Sequence, residues 1–172
     1  MGQLTNLQFL SLNGNPLTGT LPSDLGSLSE LQEIDLHDTS FTGTIPEELY
    51  EGVANSLNHL DFSKAQLSGT ISTRIGLLTR LDWFLVADNQ LTGTVPTETG
   101  QMLSLNRFNV YGNNLSGSIP DAICVLRGES TLRDLKADCS TIGTGEIPIF
   151  CPAGCCTECC NQDTDICLPT SI

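Results

Sequence analysis

The chain has 172 residues, of which 39% are hydrophobic and 16% are charged, a balance typical of a folded domain rather than a disordered segment. Its 20 acidic and 7 basic side chains give a formal net charge of −13, which repels the phosphate backbone that a nucleic-acid-binding protein must neutralise. No apolar run approaches the roughly 18 residues that a membrane span needs. We therefore expect neither a nucleic acid partner nor a membrane span in this chain.

A leucine-rich pattern recurs from Leu7 onward. Successive copies start 24, 26, 24, 24 and 27 residues apart, within the roughly 20 to 29 residues of leucine-rich repeats. Alternating apolar positions such as Leu10 and Leu12 predict a short strand whose apolar side chains point inward while the residues between them face outward. Stacked copies would form one parallel sheet. The aligned starting positions are Leu7, Leu31, Leu57, Leu81, Leu105 and Leu132.

An asparagine ends this pattern at Asn15, Asn89 and Asn113. We expect its side chain to bond backbone groups of neighbouring coils that would otherwise lack partners. Thr39 and Ala65 take its place in the second and third repeats. The sequence therefore predicts a break in the asparagine ladder there.

A second regular segment follows the asparagine position. It reads Leu-Thr-Gly-Thr-Leu-Pro at residues 17–22, and related hexamers occupy residues 41–46, 67–72, 91–96 and 115–120, with Ser72 in place of the proline in the third copy. Five hexamers in phase resemble the plant-specific class of leucine-rich repeats. The resemblance implies a second strand in each coil and a twisted superhelix.

Apolar pairs with the i, i+3 spacing of a helical turn follow these hexamers. They predict short helices or 3-10 turns on the convex side. The fold expected is an α/β repeat solenoid with a parallel concave sheet, plant-type second strands and a disulfide-rich C-terminal cap. The pairs are Leu25/Leu28, Ile75/Leu78, Ile123/Leu126 and, more weakly, Thr99/Met102.

The two ends of the sequence differ in character. Residues 2–7 align with residues 76–81, the junction between two repeats, so we expect the chain to start inside a repeat of a longer ectodomain. At the other end, the sequence Leu-Lys-Ala-Asp-Cys and the cluster Cys-Cys-x-x-Cys-Cys resemble the C-terminal caps of extracellular leucine-rich repeat proteins from diatoms and related algae. We expect a solenoid over residues 1–138 and a cysteine-rich cap and tail over residues 139–172.

Eight cysteines indicate an oxidising compartment and predict disulfides in the cap, although no signal peptide is visible in this chain. Their connectivity stays open, because eight cysteines allow many pairings. A metal cluster is the disfavoured alternative, since no histidine lies nearby. A sequon at Asn114 is a candidate N-glycosylation site. The cysteines are Cys124, Cys139, Cys151, Cys155, Cys156, Cys159, Cys160 and Cys167.

The outward positions of the predicted strands form three rows across the concave face. The third row is Asn13, His37, Ser63, Ala87, Tyr111 and Asp138. Trp, Tyr and Arg are enriched at the energetic centres of interfaces, so we expect a ligand to bind the part of the concave face that contains Trp83, Arg107 and Tyr111. An acidic zone beside it is either a solvated face or a site for Ca²⁺ or a basic peptide. The candidate ligand-binding residues are Trp83, Leu85, Arg107, Tyr111, His59, Asp61 and Asp35, and the acidic zone contains Glu33, Asp35, His37, Asp38, His59 and Asp61.

These features favour an extracellular recognition module, secreted or receptor-like, that binds a protein, a peptide or a glycan through its concave face. We expect no enzyme and no cofactor: Ser63 lies near His59 and Asp61 in the predicted sheet, but no nucleophile elbow or oxyanion-hole signature accompanies them. A membrane anchor or a co-receptor outside this chain is an expected accessory.

Two alternatives stay open. One is adhesion or cell-wall scaffolding. The other is ice interaction through two rows of hydroxyl side chains on the second strands, although such residues also suit exposed strand positions. The rows contain Thr18/Thr20, Thr42/Thr44, Ser68/Thr70, Thr92/Thr94 and Ser116/Ser118.

Overall fold

A computed structural model describes residues 3–128, 131–138, 151–152, 155–161 and 166–169. Short strands recur through these residues at the repeat spacing, two in each coil. The strands are β1 (Phe9–Ser11), β2 (Thr18–Thr20), β3 (Glu33–Asp35), β4 (Ser40–Gly43), β5 (His59–Asp61), β6 (Gln66–Thr70), β7 (Trp83–Leu85), β8 (Gln90–Gly93), β9 (Arg107–Asn109), β10 (Asn114–Leu115), β11 (Asp134–Asp138), β12 (Glu158–Asn161) and β13 (Ile166–Pro169).

The first strand of each coil joins one sheet in the order β1-β3-β5-β7-β9-β11-β12-β13. All neighbours in it are parallel except β12 and β13, which pair antiparallel. The parallel arrangement follows from the repeat, because each coil returns the chain to the same edge in the same direction. This sheet is the predicted concave sheet, and the solenoid fold is confirmed.

The second strands form a separate sheet in the order β10-β8-β6-β4-β2. The residue just before the asparagine position turns the chain from the first strand towards the second, and its φ is positive in five coils. Only glycine adopts such a φ without strain, and this chain uses glycine twice and charged side chains three times. The residues are Gly14, Asp38, Lys64, Asp88 and Gly112.

The convex side carries the predicted short helices. Three are 3-10 helices, at Ser23–Ser27, Thr73–Leu77 and Thr97–Gln101. Two are α-helical, α1 (Glu47–Gly52) and α2 (Asp121–Gly128). The two extra residues of the second repeat lie near α1, on the side where they leave both sheets undisturbed.

The core lies between the two sheets and the convex helices. The repeat leucines Leu31, Leu57, Leu81 and Leu105 are fully buried, and each such side chain contributes about 1.5–3 kcal/mol. Phe84 and Phe108, on adjacent strands, stack with their ring centroids 5.4 Å apart. The core is thus one continuous column of mostly aliphatic side chains.

The asparagine ladder is confirmed in the later coils. The side-chain Oδ1 of Asn89 accepts from the backbone N–H of Leu67 at 3.0 Å, and its Nδ2 donates to the carbonyl of Phe62 at 2.8 Å. Both partners belong to the preceding coil. Asn113 repeats the pattern one coil later, bonding Leu91 and Val86.

In the second repeat the ladder is broken, as predicted. Thr39 donates its hydroxyl only to the carbonyl of Leu36 in its own coil. The expectation is wrong for Asn15, which is exposed and bonds the carbonyls of Leu12 and Asn13 within its own turn instead of a neighbouring coil.

The cap is joined to the solenoid by a disulfide between Cys124, on α2, and Cys155. A second disulfide links Cys151 to Cys156, and Cys160 is also disulfide-bonded. The predicted disulfide cap is therefore present, and the Cys124–Cys155 bond settles one pairing that the sequence left open. Cys139 and the side chains of Cys159 and Cys167 lie outside the described residues, as does the stretch that follows the predicted domain boundary at residue 138.

Candidate functional site

The concave sheet places the predicted first row of side chains in register. Phe9 lies beside Glu33, Glu33 beside His59, and the row continues in the same way along the sheet. The second row is equally regular and extends to Glu158 on β12. The first row is Phe9, Glu33, His59, Trp83, Arg107 and Asp134, and the second is Ser11, Asp35, Asp61, Leu85, Asn109 and Lys136.

The third row departs from the prediction at two positions. Ala87 and Asp138 were expected to face outward, but both are only 2% exposed. Asp138 accepts hydrogen bonds from the backbone amides of Gly112 and Asn113, at 2.9 and 3.3 Å. The expectation is wrong for Asp138 because its carboxylate bonds the preceding coil instead of facing solvent.

A stack of three side chains, His59, Trp83 and Arg107, occupies consecutive strands β5, β7 and β9. The guanidinium carbon of Arg107 lies 4.2 Å from the Trp83 ring centroid, within the range of a cation–π interaction. The His59 ring centroid lies 4.5 Å from that of Trp83, with the rings tilted by 51°. Trp83 and His59 are partly buried and Arg107 is exposed. We call this group the Trp83 stack.

Two of the other four predicted ligand-binding residues, Leu85 and Tyr111, lie near the Trp83 stack. Leu85 lies two residues after Trp83 and is partly buried. Tyr111 lies four residues after Arg107, and its hydroxyl is 3.3 Å from a carboxylate oxygen of Asp88. Leu85 pairs across the sheet with Asn109, which lies between Arg107 and Tyr111 along the chain.

A second group, Asp35, His37 and Asp61, lies on β3, β5 and the turn after β3. The Nδ1 of His37 is 2.7 Å from Asp35 Oδ1 and 4.0 Å from Asp61 Oδ2. The side chains of Asp35 and Asp61 are only 15% and 17% exposed. The sequence placed His37 in the acidic zone but not among the selected ligand-binding residues. The Asp-x-His spacing, which puts both side chains on one face of a strand, is the signal that could have selected it.

Ser63, His59 and Asp61, the three residue types of a hydrolase triad, are near one another but are not assembled as a triad. The Asp61 carboxylate accepts from the backbone N–H of Ser63 at 2.9 Å. Within the described part of the chain, no hydrogen bond joins the Ser63 hydroxyl to His59.

The hydroxyl side chains of the second strands are exposed, except that of the partly buried Ser68, but they do not form two continuous rows. Thr20 lies beside Thr42, which stands two positions earlier in its own hexamer, so each row shifts from coil to coil. The hydroxyl of Thr42 also donates to the Gly19 carbonyl at 3.1 Å. The expected register is wrong because neighbouring second strands are staggered, and amide side chains interrupt each row. The interrupting residues are Gln66, Gln90 and Asn114.

The sequence model of the Leucine Rich Repeat family matches residues 6–28, 30–51 and 104–126. No curated protein sequence matches this chain. Within the described residues, no helix has the length and apolar character needed to cross a membrane.

Several solved plant structures are similar to this chain. The plant peptide hormone receptor RGFR1 in complex with RGF2 superposes with a TM-score of 0.73 and 36% identity, over 80% of this chain and 22% of that chain. The Arabidopsis receptor kinase HAESA, in complex with the peptide hormone IDA and the co-receptor SERK1, gives a TM-score of 0.73 and 27% identity, over 98% of this chain and 28% of that chain.

The BIR2 ectodomain from Arabidopsis thaliana gives a TM-score of 0.64 and 32% identity, over 66% of this chain and 59% of that chain. This chain spans only about a fifth of RGFR1. The repeats, the register of the two sheets and these similarities agree. The chain is a leucine-rich repeat solenoid whose fold matches that of plant leucine-rich repeat receptor ectodomains.

Proposed function

We propose that this chain is an extracellular recognition module that binds a peptide, or a peptide segment of a protein, on its concave sheet. The observation that carries the proposal is the Trp83 stack, in which an exposed arginine lies over a tryptophan at the middle of that sheet. The proposal includes no catalytic role.

The stack has the properties of an interface centre. Stacking on His59 and Arg107 restricts the Trp83 rotamers before a ligand arrives, so less side-chain entropy is lost on binding. The Arg107 guanidinium keeps its hydrogen-bond donors available while its plane covers the ring, which suits it to bind a carboxylate. Leu85 and Tyr111 extend the apolar surface beside it.

The charge distribution favours a peptide that has an acidic group at one end and a basic group at the other. Arg107 is one of 7 basic side chains in a chain of net charge −13, so an acidic group on the ligand gains most by lying against it. The acidic zone two strands away favours a basic group at the other end of the ligand. Adjacent strands of a sheet are about 4.8 Å apart, so a peptide that crosses four strands contacts both zones.

The similar proteins support a peptide ligand and an extracellular location. RGFR1 is described as a peptide hormone receptor, and HAESA is seen with the peptide hormone IDA. The disulfides of the cap agree with an oxidising compartment. A co-receptor, as in the HAESA complex, is part of the proposal. The relationship to algal leucine-rich repeat proteins, the glycan ligand and the glycan at Asn114 stay predictions.

The experiment is a selection of random displayed peptides on the oxidised chain, followed by calorimetric affinities of the recovered peptides in the presence of a chelator. We expect Trp83→Ala and Arg107→Ala each to weaken binding at least about tenfold, the effect of losing an interface centre worth more than about 1.4 kcal/mol. Phe9→Ala removes an exposed aromatic from the same row, three strands away. Arg133→Ala removes an equal charge outside the stack.

Those two controls are expected to retain the wild-type affinity. If the recovered peptides bind Trp83→Ala and Arg107→Ala as tightly as the wild type, or lose equal affinity in Phe9→Ala, the stack is not the binding site. Peptide recognition by this face is refuted if the selection recovers no peptide. It is also refuted if none of the four substitutions changes the affinity of the recovered peptides.

A further inference from the structure

Two carboxylates face each other on the concave sheet, outside the Trp83 stack. Asp35 on β3 and Asp61 on β5 are direct cross-strand neighbours, and each side chain is less than one-fifth exposed. Like charges directly opposite each other on a sheet are destabilising, and partial burial strengthens their repulsion. A cation between them would relieve that repulsion.

The protein supplies little of that positive charge. Among the described residues, the only basic side chain paired with Asp35 or Asp61 is His37. Its imidazole contacts Asp35 closely, at 2.7 Å, but its Nδ1 is 4.0 Å from Asp61 Oδ2, too far for a hydrogen bond. The charge of the second carboxylate is therefore poorly compensated, in a chain that is strongly negative overall.

We propose that Asp35, His37 and Asp61 together bind a divalent transition-metal ion of the zinc class. One donor atom from each side chain lies within 4.8 Å of the others. Donor atoms about 2.0–2.2 Å from a tetrahedral zinc ion are roughly 3.3 Å apart. The separations of 2.7 and 4.0 Å lie on either side of this value, so small side-chain rotations bring all three atoms to one ion.

Both carboxylates are already oriented by hydrogen bonds from groups that are not among the three proposed metal ligands. The backbone N–H of Ser63 donates to Asp61 Oδ1 at 2.9 Å, which leaves Oδ2 directed towards His37. The amide of Asn13 donates to Asp35 Oδ2 at 2.5 Å, which leaves Oδ1 beside the imidazole. Such supporting bonds increase metal affinity because they fix the ligands in place.

The donor set selects zinc over calcium. One imidazole nitrogen with two carboxylate oxygens is a donor set that zinc and its neighbours accept, with the remaining position filled by water. Calcium takes six to eight oxygen ligands, about twice the number of side chains available here. The ion would lie on the concave face, with its water exchangeable with solvent. The proposal names zinc for the zone where the sequence left calcium, a basic peptide and a solvated face open, and it does not depend on the proposed peptide recognition.

The test uses the full chain with its disulfides intact, freed of metal with a chelator and then dialysed. Zn²⁺ and, separately, Ca²⁺ are titrated by calorimetry, while the side-chain nitrogens of both histidines are followed by NMR. We expect one Zn²⁺ per chain, a shift at His37 Nδ1, and at least about a tenfold loss of Zn²⁺ affinity in His37→Ala and in Asp61→Asn. The His59→Ala variant is the matched control and is expected to retain the wild-type affinity.

Asp61→Asn keeps the acceptor for Ser63 and therefore the local fold, which circular dichroism verifies. The proposal is overturned if Zn²⁺ fails to bind, if binding is unchanged in both His37→Ala and Asp61→Asn, or if Ca²⁺ binds as tightly with no shift at His37. Because peptide binding is measured with a chelator present, failure here and failure of the peptide proposal are separate results.

Discussion

Replacing Asn89 by alanine tests whether the asparagine ladder holds adjacent coils together. The Asn89 side chain is 8% exposed and links the third coil to the fourth. Its Oδ1 accepts from Leu67 N–H, and its Nδ2 donates to the carbonyls of Phe62, Val86 and Ala87 at 2.8 to 3.1 Å. Alanine makes none of these bonds.

The magnitude follows from counting the side chain's own capacity. An amide offers two N–H donors and one acceptor oxygen, so about three full bonds are lost even though three carbonyls share the donors. Each net bond is worth about 1 kcal/mol, and a buried N–H left without a partner, here that of Leu67, costs about 1–3 kcal/mol. We expect Asn89→Ala to lower the free energy of unfolding by about 3 kcal/mol.

Asn15 provides the matched control, because it occupies the same ladder position in the first coil. It is exposed and bonds only the carbonyls of Leu12 and Asn13, which water can solvate in its absence. Asn15→Ala should therefore cost less than about 1 kcal/mol. Urea unfolding followed by circular dichroism, with midpoints and slopes compared, measures both. If the two substitutions cost the same within error, the ladder does not join the coils as argued.

Two further substitutions test other elements. Gly69→Ala puts a methyl group in a backbone with φ +80°, 2.7 Å from Thr44 Cγ2, whereas at Gly19, with φ +96°, nothing lies within 4 Å. Urea unfolding should show that Gly19→Ala loses about 1–2 kcal/mol of stability from backbone strain alone and that Gly69→Ala loses more. Equal losses in the two variants would contradict the contact with Thr44. Burial, and then the Glu47 charge, raise the pKa of Tyr50 above its ordinary 10.0, with a small opposing effect of the Ser72 backbone. The unfolded chain therefore releases this proton first, so stability is retained below pH 10 and falls by up to about 1.4 kcal/mol per pH unit above it. Unfolding measured above pH 10 should show a shallower decline in Tyr50→Phe, and identical slopes would contradict the assignment.

The concave register could be predicted from sequence because it depends on two short-range rules. Side chains alternate along a strand, and each coil returns the chain to an equivalent position in a parallel sheet. Insertions fall on the convex side, near α1, and do not disturb that register. Aligned positions such as Glu33, His59 and Trp83 are therefore true neighbours across the sheet.

The second sheet could not be predicted in the same way. Aligned hexamer positions were expected to be neighbours, yet Thr42 lies beside Thr20 on one side and Gln66 on the other. The stagger between neighbouring coils shifts the second strands relative to one another, and no residue pattern encodes its size. The orientation of the Asp138 side chain could not be predicted either, since an aspartate can face solvent or bond a neighbouring coil.

The candidate sites show where alignment stops being sufficient. Register places Arg107 beside Trp83 and Asp35 beside Asp61, but it does not say that the guanidinium lies over the ring or that the His37 imidazole turns back onto Asp35. Those orientations depend on rotamers chosen by neighbouring side chains. The buried core lies beneath both groups, and the asparagine ladder also supports the coils that carry the Trp83 stack. A loss of binding with the fold intact can therefore be assigned to the substituted side chain, whereas Asn89→Ala should affect the Trp83 stack more than the group of Asp35, His37 and Asp61, which lies on the second and third coils.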